Sequence, residues 1–295
     1  MTFDLLSVRF EFVAREEIRF PRQHAGNVLR GALGAAFRKM ACAPECPGHA
    51  GRNVRECPAR ACCPYARIFE PAAVAAGPSG LADRPRPFVL RVQHLNGQIV
   101  QPGEPFCFHV HLFDARNPPL GHFRQTLAAM AAAGFGPRRG TAELVSLASL
   151  PVSIPLDPPP DTVSRVRVEF RSPTELKNVA KIVTRPEFAV LFARARDRVS
   201  SLRALYGAGP LDIDFRGLGA RSRAVQISRC DVQTVEAMRR SSRTGQRHSI
   251  GGFLGSVEYE GNLGEFLPYL DTAHWTGVGR HCSWGNGEIT VQVLE

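Results

Sequence analysis

Lysine is almost missing from this chain: Lys39, Lys177 and Lys181 stand against 34 arginines among 295 residues. Apolar runs are short as well. The longest, 127–135, is alanine-rich and about half the roughly 20 residues that a membrane helix needs, so no membrane partner is expected. The opening residues, Met1-Thr-Phe-Asp-Leu-Leu, put an acid where a secretory leader carries a basic segment, so the cytoplasm is the expected compartment. With hydrophobic residues at 44% and charged residues at 22%, wholesale disorder is excluded and a packed core is available. At about 150 residues per domain, the length suits one large domain or two ordinary ones.

What is present is positive charge. Lys plus Arg number 37 against 27 Asp plus Glu, a net charge of +10, which points to a polyanionic partner. The arginine bias has two readings. One is GC-rich coding. The other is phosphate recognition, because the guanidinium fork matches phosphate oxygens two at a time and stacks on bases.

The chain divides at a Pro-rich linker, 151–161, into domains 1–150 and 162–295. In the first, residues 5–13 alternate as a strand, and 24–40 put Val28, Leu29, Leu33, Ala36 and Phe37 on one helical face. A Cys-rich insert (41–86) precedes strands at 87–92 and 105–113. A helix over 120–133, a turn at 134–140 and a strand at 142–150 complete this half. The second half repeats the order: strand 163–171, a helix through Phe188 and Leu202, strands 224–231 and 250–259, a short helix 263–270, a turn 277–287 and strand 288–294. The expected fold is therefore α+β, two tandem ferredoxin-like (RRM-like, βαββαβ) domains with a Cys-rich insertion in the first.

The strongest local signal is Gly277-Val-Gly-Arg-His-Cys-Ser-Trp-Gly-Asn-Gly287. Gly277, Gly279, Gly285 and Gly287 permit positive φ and close approach, so successive N–H groups are expected to face an anion. Arg280 and His281 add donors and Trp284 a stacking face. A plain strand-closing turn is the simpler alternative.

This loop and its terminal strand resemble the C-terminal signature of the CRISPR RAMP superfamily, and within it the endoribonuclease that cuts CRISPR precursor RNA. Leu29-Arg-Gly-Ala-Leu-Gly34, Ser172-Pro-Thr-Glu-Leu-Lys177, Arg198-Val-Ser-Ser-Leu-Arg203 and Gly251-Gly-Phe-Leu-Gly255 agree with that family in the same order. The resemblance implies two ferredoxin-like domains and metal-independent RNA cleavage, in which a 2′-hydroxyl attacks the neighbouring phosphorus. It implies the CRISPR repeat hairpin and other CRISPR effector subunits as partners, no catalytic cofactor, and retention of the mature RNA. Relatives tend to place a His on or just after the first helix, where this chain has His24, Arg30, Arg38, Lys39 and His49. His24, Arg38 and His49 are the catalytic candidates: His24 as a neutral base beside a helix N-terminus, Arg38 for the phosphorane charge. A silent subunit that only grips CRISPR RNA is the alternative. A zinc-stabilised nucleic-acid binder outside CRISPR biology is a third reading.

RNA-binding candidates are Arg22, Arg30, Arg138 and Arg139 in the first half, with Arg194 and Arg198 on one helix edge. Arg239, Arg240, Arg243, Arg247 and His248 join them from a strand-to-strand loop. His109 and His111 alternate with apolar neighbours and suit a solvated or RNA-facing sheet surface. Five of the eight cysteines fall within 42–63. In a cytosolic chain that clustering favours metal over disulfides, and Cys42, Cys46, Cys57 and Cys63 are the candidate ligands of a structural zinc. Reduced, partly buried thiols are the alternative.

Overall fold

The computed structural model describes residues 1–42, 57–71, 84–178, 181–240 and 247–294. Two compact units emerge, 5–152 and 153–295, with residues 1–4 grouped in the second.

In the first unit β1 (Thr2–Ala14) leads to α1 (Ala25–Ala41), the short α2 (Pro64–Phe69), β2 (Phe88–Arg91), β3 (Pro105–Leu112), α3 (Leu120–Ala133) and β4 (Ala142–Pro155). The four strands form one sheet in the order β2-β3-β1-β4. β1 and β3 pair antiparallel from Leu6 opposite Leu112 to Val13 opposite Pro105. One side chain in two faces the helices, so Val8, Phe10 and Phe12 meet Phe106, Phe108 and Val110 in the core. Phe37, Phe69 and Phe123 close it from the helices and meet Phe88 of β2, with ring centroids 5.2–6.2 Å apart. Area burial and edge-to-face geometry make such aromatic cores cohesive.

The second unit repeats the plan: β5 (Arg165–Thr174), α4 (Phe188–Tyr206), α5 (Phe215–Arg221), β6 (Gln226–Val235), β7 (Gly252–Glu260), α6 (Leu267–Thr276) and β8 (Ile289–Leu294). Its sheet runs β6-β7-β5-β8, the same order with the same connections. Phe188, Phe192, Phe266 and Tyr259 form its aromatic centre, and the buried Tyr259 hydroxyl donates to the Pro186 carbonyl at 2.6 Å. Burial raises that phenol well above its ordinary pKa. Both ferredoxin-like repeats are therefore present. β4 runs on to Pro155, five residues past the sequence expectation. It lies at the sheet edge, where a strand needs no donor on its outer side and Pro151 is tolerated.

Residues 1–4 contribute to the second unit through specific bonds. The Leu156 N–H donates to Met1 O at 2.8 Å, Arg203 Nε to Thr2 O at 2.9 Å, and Ser153 Oγ to Asp4 at 2.6 Å.

No described helix is long and apolar enough to cross a membrane. In the insert, Cys42 and Cys63 are buried, Cys57 is half-buried and Cys62 is exposed. Cys46 and His49 lie outside the described residues, and among those described no three His, Cys, Asp or Glu gather for a metal.

Candidate nucleic-acid interface

Three connections of the second unit meet at one end of its sheet. The first follows β5 and carries Glu175, then a two-residue ladder in which Lys177 and Asn178 pair with Ile182 and Lys181. The second joins β6 to β7 and contains the ladder Met238–Arg240 with Arg247–Ser249. The third is the glycine loop between α6 and β8. Gly287 N–H donates to Pro173 O, Arg280 N–H to Glu175 O, and the buried Asn286 amide to Ile250 O. These bonds tie the third connection to the other two.

The glycines are required by that packing. Gly277 ends α6 at φ 73°, and a methyl group on Gly279 (φ 80°) would sit 2.4 Å from Glu175 O. On Gly287 it would sit 2.0 Å from Val278 O. The backbone donors are largely consumed within the fold. Those of Gly277, Val278, Arg280, Trp284, Gly285, Gly287 and Glu288 all bond to protein acceptors. These bonds hold much of the loop's backbone within the fold, while Arg280, His281 and Trp284 keep exposed or partly exposed side chains.

Those side chains are organised by a buried acid. Glu175 is 3% exposed and pairs with Arg280 at 2.5 Å, while His281 Nε2 lies 3.8 Å from its other oxygen. His281 takes a left-handed φ of 63° and stacks on Trp284, centroids 4.6 Å apart and planes 10° off parallel. Arg280 stays about half exposed, so the site presents a guanidinium beside a stacked aromatic pair. That combination suits a phosphate and a base. Exposed Lys181 and the half-buried Lys177 add charge on the neighbouring ladder.

Other candidates are placed differently. Arg198 donates to Thr276 O at 2.8 Å and so satisfies a carbonyl at the end of α6, and Arg194 lies 4.0 Å from Asp197. Of the basic helix edge expected of this pair, Arg198 is engaged inside the unit and Arg194 stays partly exposed. Arg239, Arg240, Arg247 and His248 lie on the ladder between β6 and β7, and Arg243 lies outside the described residues. In the first unit Arg138 and Arg139 are exposed on the glycine turn, with Arg138 3.4 Å from Glu17.

On α1, His24 sits at the N-cap with φ 63°, and burial holds its imidazole below the ordinary pKa. Its neutral form is thus favoured, by desolvation in addition to the helix dipole. Asn96 accepts the Ala25 N–H at 2.9 Å, capping the helix from outside, and Arg22 is exposed just before it. Arg30 and Arg38 lean on Phe69 and Tyr65, at 5.4 and 5.9 Å from the ring centroids. Arg38 lies in the last turn, 14 residues from His24, about 21 Å along the axis at 1.5 Å per residue. Arg38 thus stands at the opposite end of α1 from His24.

Sequence reasoning missed Glu175 and Lys181 at this site. Glu175 lies 105 positions from Arg280, and nothing local marks it as that residue's partner.

Two family models match the chain. CRISPR-associated endoribonuclease Cas6 matches residues 168–289, the span that contains all three converging connections, and the AF_1859_N family, described as N-terminal domain, matches 3–154. A comparison with curated protein sequences gave no match. Among solved structures, the chain is similar to Thermus thermophilus Cas6 (TTHB231), with TM-score 0.55 and 12% identity over 99% of each chain. It is similar to the Cas6 (TTHA0078) substrate mimic complex, with TM-score 0.54 and 17% identity over 98% of this chain and 100% of that one. A partial Cas6-RT-Cas1–Cas2 complex matches with TM-score 0.57 and 11% identity, over 99% of this chain and 46% of the other. At these identities the likeness is one of fold.

Proposed function

The chain belongs to the RAMP-type, CRISPR-associated Cas6 endoribonuclease family, and from that premise we propose that it cuts CRISPR precursor RNA at the repeat hairpin without a metal and keeps the product. The observation that carries this reading is the overlap of the Cas6 match with the three basic connections of the second unit. In the proposed reaction the 2′-oxygen bonds to the adjacent phosphorus as the bond to the 5′-oxygen breaks. A base takes the 2′ proton and an acid returns one to the leaving oxygen, giving a cyclic phosphate and a 5′-hydroxyl. His24, kept neutral by burial, is the described residue best suited to accept the 2′ proton, with exposed Arg22 close in sequence to meet the phosphate. His49 is the alternative base. Arg280, His281, Trp284 and the arginines of the β6–β7 ladder hold the RNA. One structural zinc on Cys42, Cys46, Cys57 and Cys63 ordering the insert, a cytoplasmic location and CRISPR effector subunits as partners complete the proposal.

The distance from His24 to Arg38 favours one second reading, a silent subunit that binds CRISPR RNA without cutting it. A labelled repeat RNA in EDTA separates the two. Cleavage at a single site, lost when the upstream 2′-hydroxyl is replaced by hydrogen, is the expected result. Under single turnover His24→Ala should slow cleavage by about 10²-fold or more, whereas Arg38→Ala should have a smaller effect. Wild-type rates for His24→Ala and His49→Ala alike would remove both bases. Binding without cutting would leave the silent subunit. Metal analysis of the purified protein should find about one zinc per chain.

A further inference from the structure

The two four-stranded sheets have four edges, β2, β4, β6 and β8, and β4 is unlike the other three. An edge strand offers unpaired N–H and C=O groups to any strand that approaches, and proteins blunt it by shortness, charge or irregularity. β2 has four residues, all buried, and β8 has six. β6 is longer, but it carries the exposed pair Arg229 and Asp231 and a register shift beside them. β4 runs for 14 residues. From Leu144 to Leu156 the chain has no Asp, Glu, Lys, Arg or His, where a composition of 22% charged residues would place about three.

Alternation sets which backbone groups of this edge are free. The Leu156 N–H bonds back to Met1 O on the β1 side, so positions of its parity face β1. Val145, Leu147, Ser149 and Pro151 therefore turn outward, and the proline has no N–H to leave unpaired there. Residues 148–151 are all exposed, and Val145 and Leu150 are 52% and 63% exposed. α3, which leads into β4, leaves Ala128, Ala129, Ala132 and Ala133 exposed, with no charged residue between Arg124 and Arg138. Depletion of charge marks the centre of a protein interface rather than a surface kept for solvent.

We propose that β4 pairs antiparallel with β4 of a second copy of this chain, joining two four-stranded sheets into one of eight. Charge selects that occupant. Two molecules at +10 repel each other over most of their surfaces, and an uncharged strand is where they approach with least repulsion. The strand is also self-complementary. A two-fold axis through Leu147 sets Leu150 of each copy opposite Leu144 of the other and Val145 opposite Ser149, with Pro151 ending the ladder opposite Glu143. The exposed Leu150 is thereby covered, twice in each dimer. The pairing does not depend on RNA being the ligand.

The test is sedimentation equilibrium of the full chain over a concentration series from about 1 to about 100 μM, at low and high salt. Wild type should move from the 32.3 kDa of one chain toward twice that mass. It should do so more readily at high salt, because screening removes the repulsion between copies. The double variant Val145→Lys, Leu150→Lys changes exposed positions and, once shown to melt as wild type does when dilute, should stay monomeric throughout. Ser149→Pro, which removes one outward donor and adds no charge, should weaken association in the same direction. A wild type that remains monomeric over the series, a double variant that still dimerises, or association that weakens as salt is added would overturn the pairing. Cleavage of repeat RNA is read separately, so a monomeric wild type that still cuts fails here and leaves the proposed function standing.

Discussion

Gly136 and Gly279 hold equivalent places in the two units. Each follows the second helix of its repeat, has positive φ (71° and 80°), and lies against a backbone carbonyl just beyond the first strand. An added methyl would meet Arg19 O at 2.3 Å in one and Glu175 O at 2.4 Å in the other. From there the turns diverge. The first closes quickly through a bridge between Phe135 and Gly140, and its Arg138 pairs with the partly exposed Glu17. The second continues to Gly287, buries Glu175 beneath Arg280, and adds the His281–Trp284 stack. The shared glycine is thus a demand of the repeat's architecture, while the exposed guanidinium and the aromatic stack lie in the residues added between Arg280 and Asn286.

The largest effect should come from breaking the shared part. Gly279→Ala and Gly136→Ala each force a backbone shift at positive φ and should each lower stability by about 2–4 kcal/mol in chemical denaturation. Only Gly279→Ala should also abolish hairpin binding at temperatures where both variants remain folded. Equal loss of binding would mean that the two turns share a role. Next, Arg280→Ala strands a buried carboxylate and should cost about 1–3 kcal/mol, against about 0.5 kcal/mol or less for Arg138→Ala, whose pair is exposed. Arg280→Met with Glu175→Gln should recover much of the stability but not the RNA affinity. The smallest effect concerns pH. His24 has a folded pKa depressed below 6.5 by burial, so the unfolded chain binds more protons and stability falls on acidification through that range. His24→Gln should flatten this slope by a few tenths of a kcal/mol, read from melts between pH 5 and 8.

The order of strands and helices was legible because each core strand alternates and each long helix carries its own apolar stripe, as Val8, Phe10 and Phe12 or Leu29, Leu33 and Phe37 do. The short α5 was legible in principle: Asp214 accepts the Gly217 N–H at 2.8 Å, an ordinary N-cap signal that its seven residues made easy to pass over. What could not be read is which arginines the fold spends internally. Arg196 and Arg198 donate to carbonyls of Phe215 and Thr276, and composition cannot separate them from Arg280. The same limit hid Glu175. Spacing along the chain carries no information on a pair closed by tertiary structure.

Thr2 accepts from Arg203, 201 positions later. During synthesis the opening residues keep their bonds to water until most of the polypeptide has left the ribosome. A fragment that begins at Ser153 would likewise lack them, so its stability should improve when a short peptide bearing the first residues is supplied in trans. Dissection at the middle of the sequence therefore does not yield two self-sufficient pieces.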